Sequence, residues 1–232
     1  MLWALLAGVA VPIGGWLAMR EHALPHRIVV RLRLAVLAFA GGALIAAVTL
    51  VLVPLGSDWL PAWAAVPLFL LGGLAFFLLD RVVERNFGPE GQAFAPLTDF
   101  IPEALALGAL FAGGERGKAV LTAVILTTQN LPEAYNAWRE MSENRAFGRR
   151  GTLLIFAGIA LLGPLAAFLG MTILADRRTI LGGILVFSAG GILYLVFEDI
   201  APKAELDHAW APPLGAVAGF AIGLAGHLLV EG

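Results

Sequence analysis

The 232-residue chain is 59% hydrophobic and only 14% charged, with a mean hydropathy of +0.87, where soluble domains carry roughly 25% charged residues. A soluble core of this size cannot bury that much apolar sequence, so part of it faces lipid, and the length leaves space for one transmembrane domain, 1–232, with short loops. The net charge of −2 and the lack of a basic run argue against nucleic acid as a partner, and zero cysteines exclude disulfides and thiolate metal sites.

Apolar runs long enough to cross a bilayer predict an all-α, polytopic membrane protein with eight transmembrane helices at about 2–19, 34–54, 61–79, 97–113, 119–138, 152–174, 179–200 and 211–230. The first has no positive segment ahead of it and runs unbroken to Arg20, which reads as a span rather than a cleaved signal peptide. Within it Pro12, Gly14 and Gly15 predict a kink. Eight spans place both termini on one side. Arg and Lys in the connections at 20–33, 81–85, 139–150 and 203 account for 11 of the 15 basic residues, against Arg116, Lys118, Arg177 and Arg178 on the other face. The positive-inside bias therefore puts both termini outside. Trp3, Trp16, Trp59, Trp63, Trp138 and Trp210 fall near span ends, as an interfacial belt requires. The longest connection, about 80–96, holds Asn86, Gly88, Pro89 and Gly91 and reads as a flexible cytoplasmic loop without a histidine-rich stretch.

The fourth and fifth spans carry one phrase twice, 30 residues apart: Thr98-Asp99-Phe100-Ile101-Pro102-Glu103-Ala104 and Thr128-Gln129-Asn130-Leu131-Pro132-Glu133-Ala134. Each sets a glutamate directly after a proline and one helical turn beyond another oxygen-bearing side chain, so Asp99 shares a face with Glu103, and Gln129 with Glu133. A carboxylate in hydrocarbon costs about 2.5–3.5 kcal/mol. No Lys or Arg lies in either span to offset that cost, which points to a bound cation. The spans form a hairpin about Gly113–Lys118, which brings Glu103 and Glu133 to depths within ~10 Å of each other. Each proline frees the carbonyl four residues earlier, of Thr98 and of Thr128, as a further oxygen donor. The donor set is all oxygen, which suits Mn²⁺, Mg²⁺ or Fe²⁺, and Zn²⁺ also accepts carboxylates. Three carboxylates around a divalent ion leave one negative charge, so a proton on one of them would balance the site and link transport to protons.

These phrases resemble the ZIP (Zrt/Irt-like) family of divalent metal transporters. The family's fourth-span phrase, His-Asn-x-Pro-Glu-Gly, is similar to Asp99-Phe100-Ile101-Pro102-Glu103-Ala104. The bacterial fifth-span phrase, Gln-Asn/Asp-x-Pro-Glu-Gly, is similar to Gln129-Asn130-Leu131-Pro132-Glu133-Ala134. A seventh-span ending, His/Asp-Glu-x-x-Pro, resembles Glu198-Asp199-Ile200-Ala201-Pro202. The resemblance implies a ZIP-like bundle in a bacterial inner membrane, both termini outside. It also implies import of Zn, Mn, Fe or Co by alternating access, with spans 1, 4, 5 and 6 moving against 2, 3, 7 and 8. The chain departs from the family at Asp99 (for histidine), Phe100 (for asparagine) and Gly163 (for the glutamate before the sixth-span proline). The expectation is one principal metal site of Asp99, Glu103, Gln129 and Glu133, with Asn130 accessory. Glu198 and Asp199 are read either as a polar helix end or as an exit-side relay.

His22, His26 and His208 fall in predicted loops and read as exposed, and His227 as a packed helix histidine. Glu140 and Glu143, among Arg139, Arg145, Arg149 and Arg150, read as a solvated loop with surface ion pairs. Gly215, Gly219 and Gly223, with Gly182-Gly183 and Gly190-Gly191, form small-residue faces that serve either helix packing or a homodimer. There is no His-Glu-x-x-His pair and no serine or cysteine nucleophile beside a histidine, so no enzyme activity and no prosthetic group are expected, the metal being cargo. The expected partners are the metal ion and the lipid bilayer. The alternative readings are a metal-binding sensor or assembly protein and, less favoured, a metal-dependent membrane hydrolase.

Overall fold

The computed structural model describes residues 2–20, 26–87, 95–143, 148–204 and 210–231, without the side chains of 26–28, 83–84, 86–87, 95–99, 139–140, 143 and 231. Long apolar runs broken only by short polar connections fold into helical rods, and no strand occurs among the described residues. In chain order the rods are α1 (Leu2–Met19), α2 (His26–Ala47, continued by Val48–Leu52 and Val53–Asp58), α3 (Ala62–Phe87), α4 (Ala95–Ala112), α5 (Arg116–Glu143), α6 (Gly148–Leu169, continued by Gly170–Leu174), α7 (Arg178–Leu195, continued by Val196–Ile200 and Ala201–Lys203) and α8 (Ala211–Glu231). The segments Val48–Leu52, Gly170–Leu174 and Val196–Ile200 are π-helical turns, each holding one extra residue in the rod.

Among the described residues six rods are long and apolar enough to cross a membrane: α1, α2 over Val29–Asp58, α3 over Ala62–Val82, α6, α7 and α8 over Ala211–Val230. Their outward side chains are apolar, among them Leu229 (85% exposed), Leu154 and Leu161. So much exposed apolar surface marks a protein embedded in lipid. The other two rods, α4 and α5, are those that bear the repeated phrase. α5 is shielded by protein, packing against α1, α2, α4, α6 and α8. A helix with protein on nearly all sides can carry polar residues that lipid would exclude.

Helix lengths depart from the sequence expectations. α2 begins at His26 rather than 34, α3 runs to Phe87 rather than 79, and α5 runs to Glu143 rather than 138. An apolar-run count stops where hydrocarbon stops, but helical hydrogen bonding continues into the polar flanks. Much of the connection read as a flexible loop at 80–96 and of the solvated loop at 139–150 is therefore helix. His22, His208, Arg145 and residues 88–94 lie outside the described residues, as do the side chains of His26, Arg139, Glu140 and Glu143.

The α4–α5 hairpin closes as the sequence predicts. Gly114 adopts φ +81°, the Glu115 N–H donates to Leu110 O at 3.0 Å, and the Gly114 N–H donates to Phe111 O at 3.4 Å. Together these close the helix end with a left-handed residue that glycine supplies without strain.

Two groups of helices pack internally. α1, α4, α5 and α6 contact one another, while α8 lies on α2 and α3 on α7. Backbone approach within each group depends on glycine. A Cβ on Gly14 of α1 would collide with Leu131 O of α5, and one on Gly8 would come within 2.7 Å of Ala160 O of α6. Gly215, Gly219 and Gly223 lie on α2, against Ala35, Phe39 and Ala46, and Gly190 lies on Phe69 of α3. These faces are used within the chain. Replacing Gly14 with Val should cost at least the ~1–3 kcal/mol of ordinary overpacking, because the obstacle is backbone. It is expected to lower the melting temperature in detergent clearly, whereas Gly158→Ala, with nothing within 4 Å of the new Cβ, should leave it unchanged.

Candidate functional site

Among the described residues the buried polar side chains are Glu103, Thr122, Gln129, Asn130, Glu133, Thr152 and Ser188. Four of these come from the repeated phrase. Glu103 is 2% exposed, Gln129 0%, Asn130 4% and Glu133 7%, all in the middle stretches of α4 and α5. Pro102 and Pro132 lie inside these helices without ending them. Thr128 and Thr98 are the residues whose carbonyls lose their usual donor through those prolines.

Glu103 and Gln129 meet directly. The Gln129 Nε2 donates to Glu103 Oε2 at 2.9 Å, fixing the levels of the two helices to one another. Glu133 is one turn further along α5 on the Gln129 face. Gln129 Oε1 is also buried, and no hydrogen bond reaches it from the described residues. A buried acceptor left in that state costs about 1–3 kcal/mol, a cost that a cation beside it would remove.

Asn130 points elsewhere. Its Nδ2 donates to the Ala7 carbonyl of α1 at 3.0 Å, which ties α1 to α5 beside the Gly14 crossing. The amide nitrogen of Asn130 thus anchors a helix rather than facing Glu103. Asp99 belongs to α4, but its side chain lies outside those described. Among the described residues no group of three or more His, Asp and Glu side chains gathers around one point. The structure joins Glu103 to Gln129, with Glu133 one turn from Gln129 on α5.

On the side of the site toward the hairpin turn, the neighbouring positions are apolar. Leu107 and Leu110 of α4 and Leu126 of α5 are each at most 1% exposed. Phe100, 1% exposed, occupies the α4–α6 contact, where a Cβ on Gly163 would come within 2.7 Å of its ring. Buried apolar side chains therefore flank the polar pair.

Glu198 and Asp199 are not brought to this site. They belong to the π-helical turn of α7, which contacts α2 and lies away from α4 and α5. Asp199 pairs with Lys203, and Glu198 is half-buried one turn beyond Tyr194. The Tyr194 hydroxyl donates to Asp80 Oδ2 of α3 at 3.3 Å, Phe77 meets the Tyr194 ring edge-on at 6.1 Å, and the Arg81 guanidinium lies 5.3 Å from the Phe77 ring. Sequence reasoning missed this α3–α7 network because Asp80 fell one residue past the predicted end of the third span. The available signal was the i, i+4 spacing of Tyr194 and Glu198. His227 of α8 is half-buried beside Asp58, Lys118 and Pro54, lining a small cup between α2, α5 and α8. No protein-family model and no curated protein matches the chain.

Proposed function

We propose that this protein carries a divalent metal ion across a bilayer, as ZIP transporters do, through a site between α4 and α5. The observation that carries the reading is the meeting of Glu103 and Gln129, both almost fully buried, on two proline-bearing helices with Glu133 one turn away. Intramembrane carboxylates are expensive and face paths for ions or protons. Side-chain oxygens from two separate helices also suit a cargo that must be released when those helices shift.

The division of the packing supports alternating access. α1, α4, α5 and α6 are held together by glycine crossings and by the Asn130–Ala7 hydrogen bond, and they meet the α2–α8 and α3–α7 pairs across an apolar layer of leucines. A polar site inside one compact group, against a smooth apolar face of the other, is suited to rigid-body rocking. Eight spans with both termini outside, in a bacterial inner membrane, complete this reading. A homodimer would use a face other than the glycine stripe of α8, which α2 covers.

The site is proposed to take one ion. Phe100 and Gly163, which depart from the ZIP pattern, pack on each other, and a ring wedged against backbone leaves no space or donors for a second ion there. Equilibrium titration of the purified protein should give one ion per chain, lost in Glu133→Ala, whereas two ions lost together in that variant would refute the single site. Asp99→His should shift competition toward Zn²⁺ over Mn²⁺, since imidazole favours zinc. Unchanged competition would remove Asp99 from the ligand set.

A further inference from the structure

α7 and α8 diverge on either side of α2 and leave a slot of 380 Å³ floored by Ala38, Gly41, Gly42 and Ile45. One wall is the π-helical turn of α7 with the short helix after it, through Val196, Phe197, Ile200, Ala201 and Ala204, and the other is the start of α8, through Pro212, Pro213 and Ala216. The floor is glycine and alanine because the backbones of α2 and its neighbours nearly touch beside it. A Cβ on Gly41 would meet Ile200 Cγ2 at 2.9 Å, and one on Gly42 would run into Ala216 O. Two helices thus approach α2 closely at the edges of a strip whose centre no described side chain fills. The extra residue of the π turn coincides with Phe197 standing at the rim, 65% exposed.

Every described residue lining the slot is apolar, and it opens on the surface of membrane-spanning rods, so its occupant is hydrocarbon rather than water. The chemistry at one end is more specific. Along α2 the lining positions Ala38 and Ile45 are seven residues apart, and one further step of seven toward the start of the helix is Arg31, which is exposed. Seven residues are about two turns, so Arg31 lies on the stripe of the slot floor, roughly 10 Å beyond Ala38. Ala204 of the wall follows Lys203, and Pro212 of the other wall is two residues from Trp210, 75% exposed. An apolar slot ending at an arginine, a lysine and an interfacial tryptophan has the layout of a chain and a charged headgroup.

We infer that this slot is a binding site for an anionic phospholipid, one acyl chain lying over Gly41-Gly42 and the headgroup phosphate at Arg31. Lys203 is paired with Asp199 and contributes less, which leaves Arg31 as the residue that distinguishes a net-negative lipid from a zwitterionic one. The site does not depend on metal transport, and its test reads lipid alone.

The full chain, delipidated in detergent, is titrated with palmitoyl-oleoyl phosphatidylglycerol or phosphatidylcholine, and bound lipid is counted by native mass spectrometry. The wild type should retain one phosphatidylglycerol in preference to phosphatidylcholine. Arg31→Gln, a change at an exposed side chain, should weaken phosphatidylglycerol about fivefold and leave phosphatidylcholine unaltered, the ratio expected of one basic residue. Ala38→Phe should fill the floor and lose both lipids. Equal retention of the two lipids by the wild type, an Arg31→Gln variant that binds like it, or an Ala38→Phe variant that keeps its lipid would each overturn the assignment.

Discussion

Proteoliposomes holding Glu133→Ala should take up Zn²⁺, Mn²⁺, Fe²⁺ and Co²⁺ no faster than empty vesicles, while the wild type shows saturable uptake that ranks the four ions. Glu133 is 7% exposed, and with Glu103 it supplies the negative charge of the described site. Removing one carboxylate halves that charge and deletes a ligand at a depth where water cannot substitute, so the loss is expected in the ion-binding step itself. Loss of a supporting residue around a metal typically costs 10–100-fold, and loss of a charged ligand should exceed that. Glu103→Ala should match it. Two controls fix the interpretation: the variant must keep the elution volume and melting temperature of the wild type, and Glu115→Ala, on the hairpin turn with its Lys118 ion pair, should transport normally. Wild-type protein that is folded, inserted and metal-binding but moves no ion would replace transport with a sensor or enzyme that uses the same carboxylates.

Much of the fold was legible because lipid-facing helices are apolar over their whole length. α1 at Leu2–Met19 and α8 at Ala211–Glu231 fall almost where the apolar runs place them. Helix ends were less legible where polar flanks prolong a rod, as at Arg85 of α3, and the three π-helical turns have no composition signal at all. The site was legible as a pattern and not as a set of contacts. Spacing places Gln129 and Glu133 on one face of α5 and matches the depth of Glu103, but a helix's rotation about its axis is set by packing. The sequence offers Asn130 as an accessory ligand beside Gln129. The packing of α1 on α5 gives the Asn130 amide nitrogen a different partner, Ala7 O. The Phe100–Gly163 contact was likewise present as two separate departures from a family pattern, and three dimensions make them one.

Gln129→Leu should raise the half-saturation concentration for metal uptake by about 10–100-fold while leaving the protein folded. The amide has two ends with different tasks. Nε2 holds Glu103 Oε2, and Oε1 lies buried without a donor from the described residues, so one end of the amide positions the carboxylate and the other is a candidate ligand. Leucine has similar volume and no polar atoms, so it removes both the positioning bond and the candidate ligand while the packing survives. Losing the hydrogen bond to a charged group is worth about 1.5–3 kcal/mol, which spans most of the expected change in affinity. Gln129→Glu separates the two tasks. It keeps an oxygen for the ion but replaces the N–H donor with a second acid beside Glu103, so one of the two must hold a proton until the cation displaces it. Its half-saturation concentration should therefore fall more steeply with rising pH than that of the wild type, whose amide needs no proton to occupy the same place. A Gln129→Leu variant with wild-type affinity would show that the amide only packs the α4–α5 crossing, and would leave Glu103 and Glu133 to bind the ion without it.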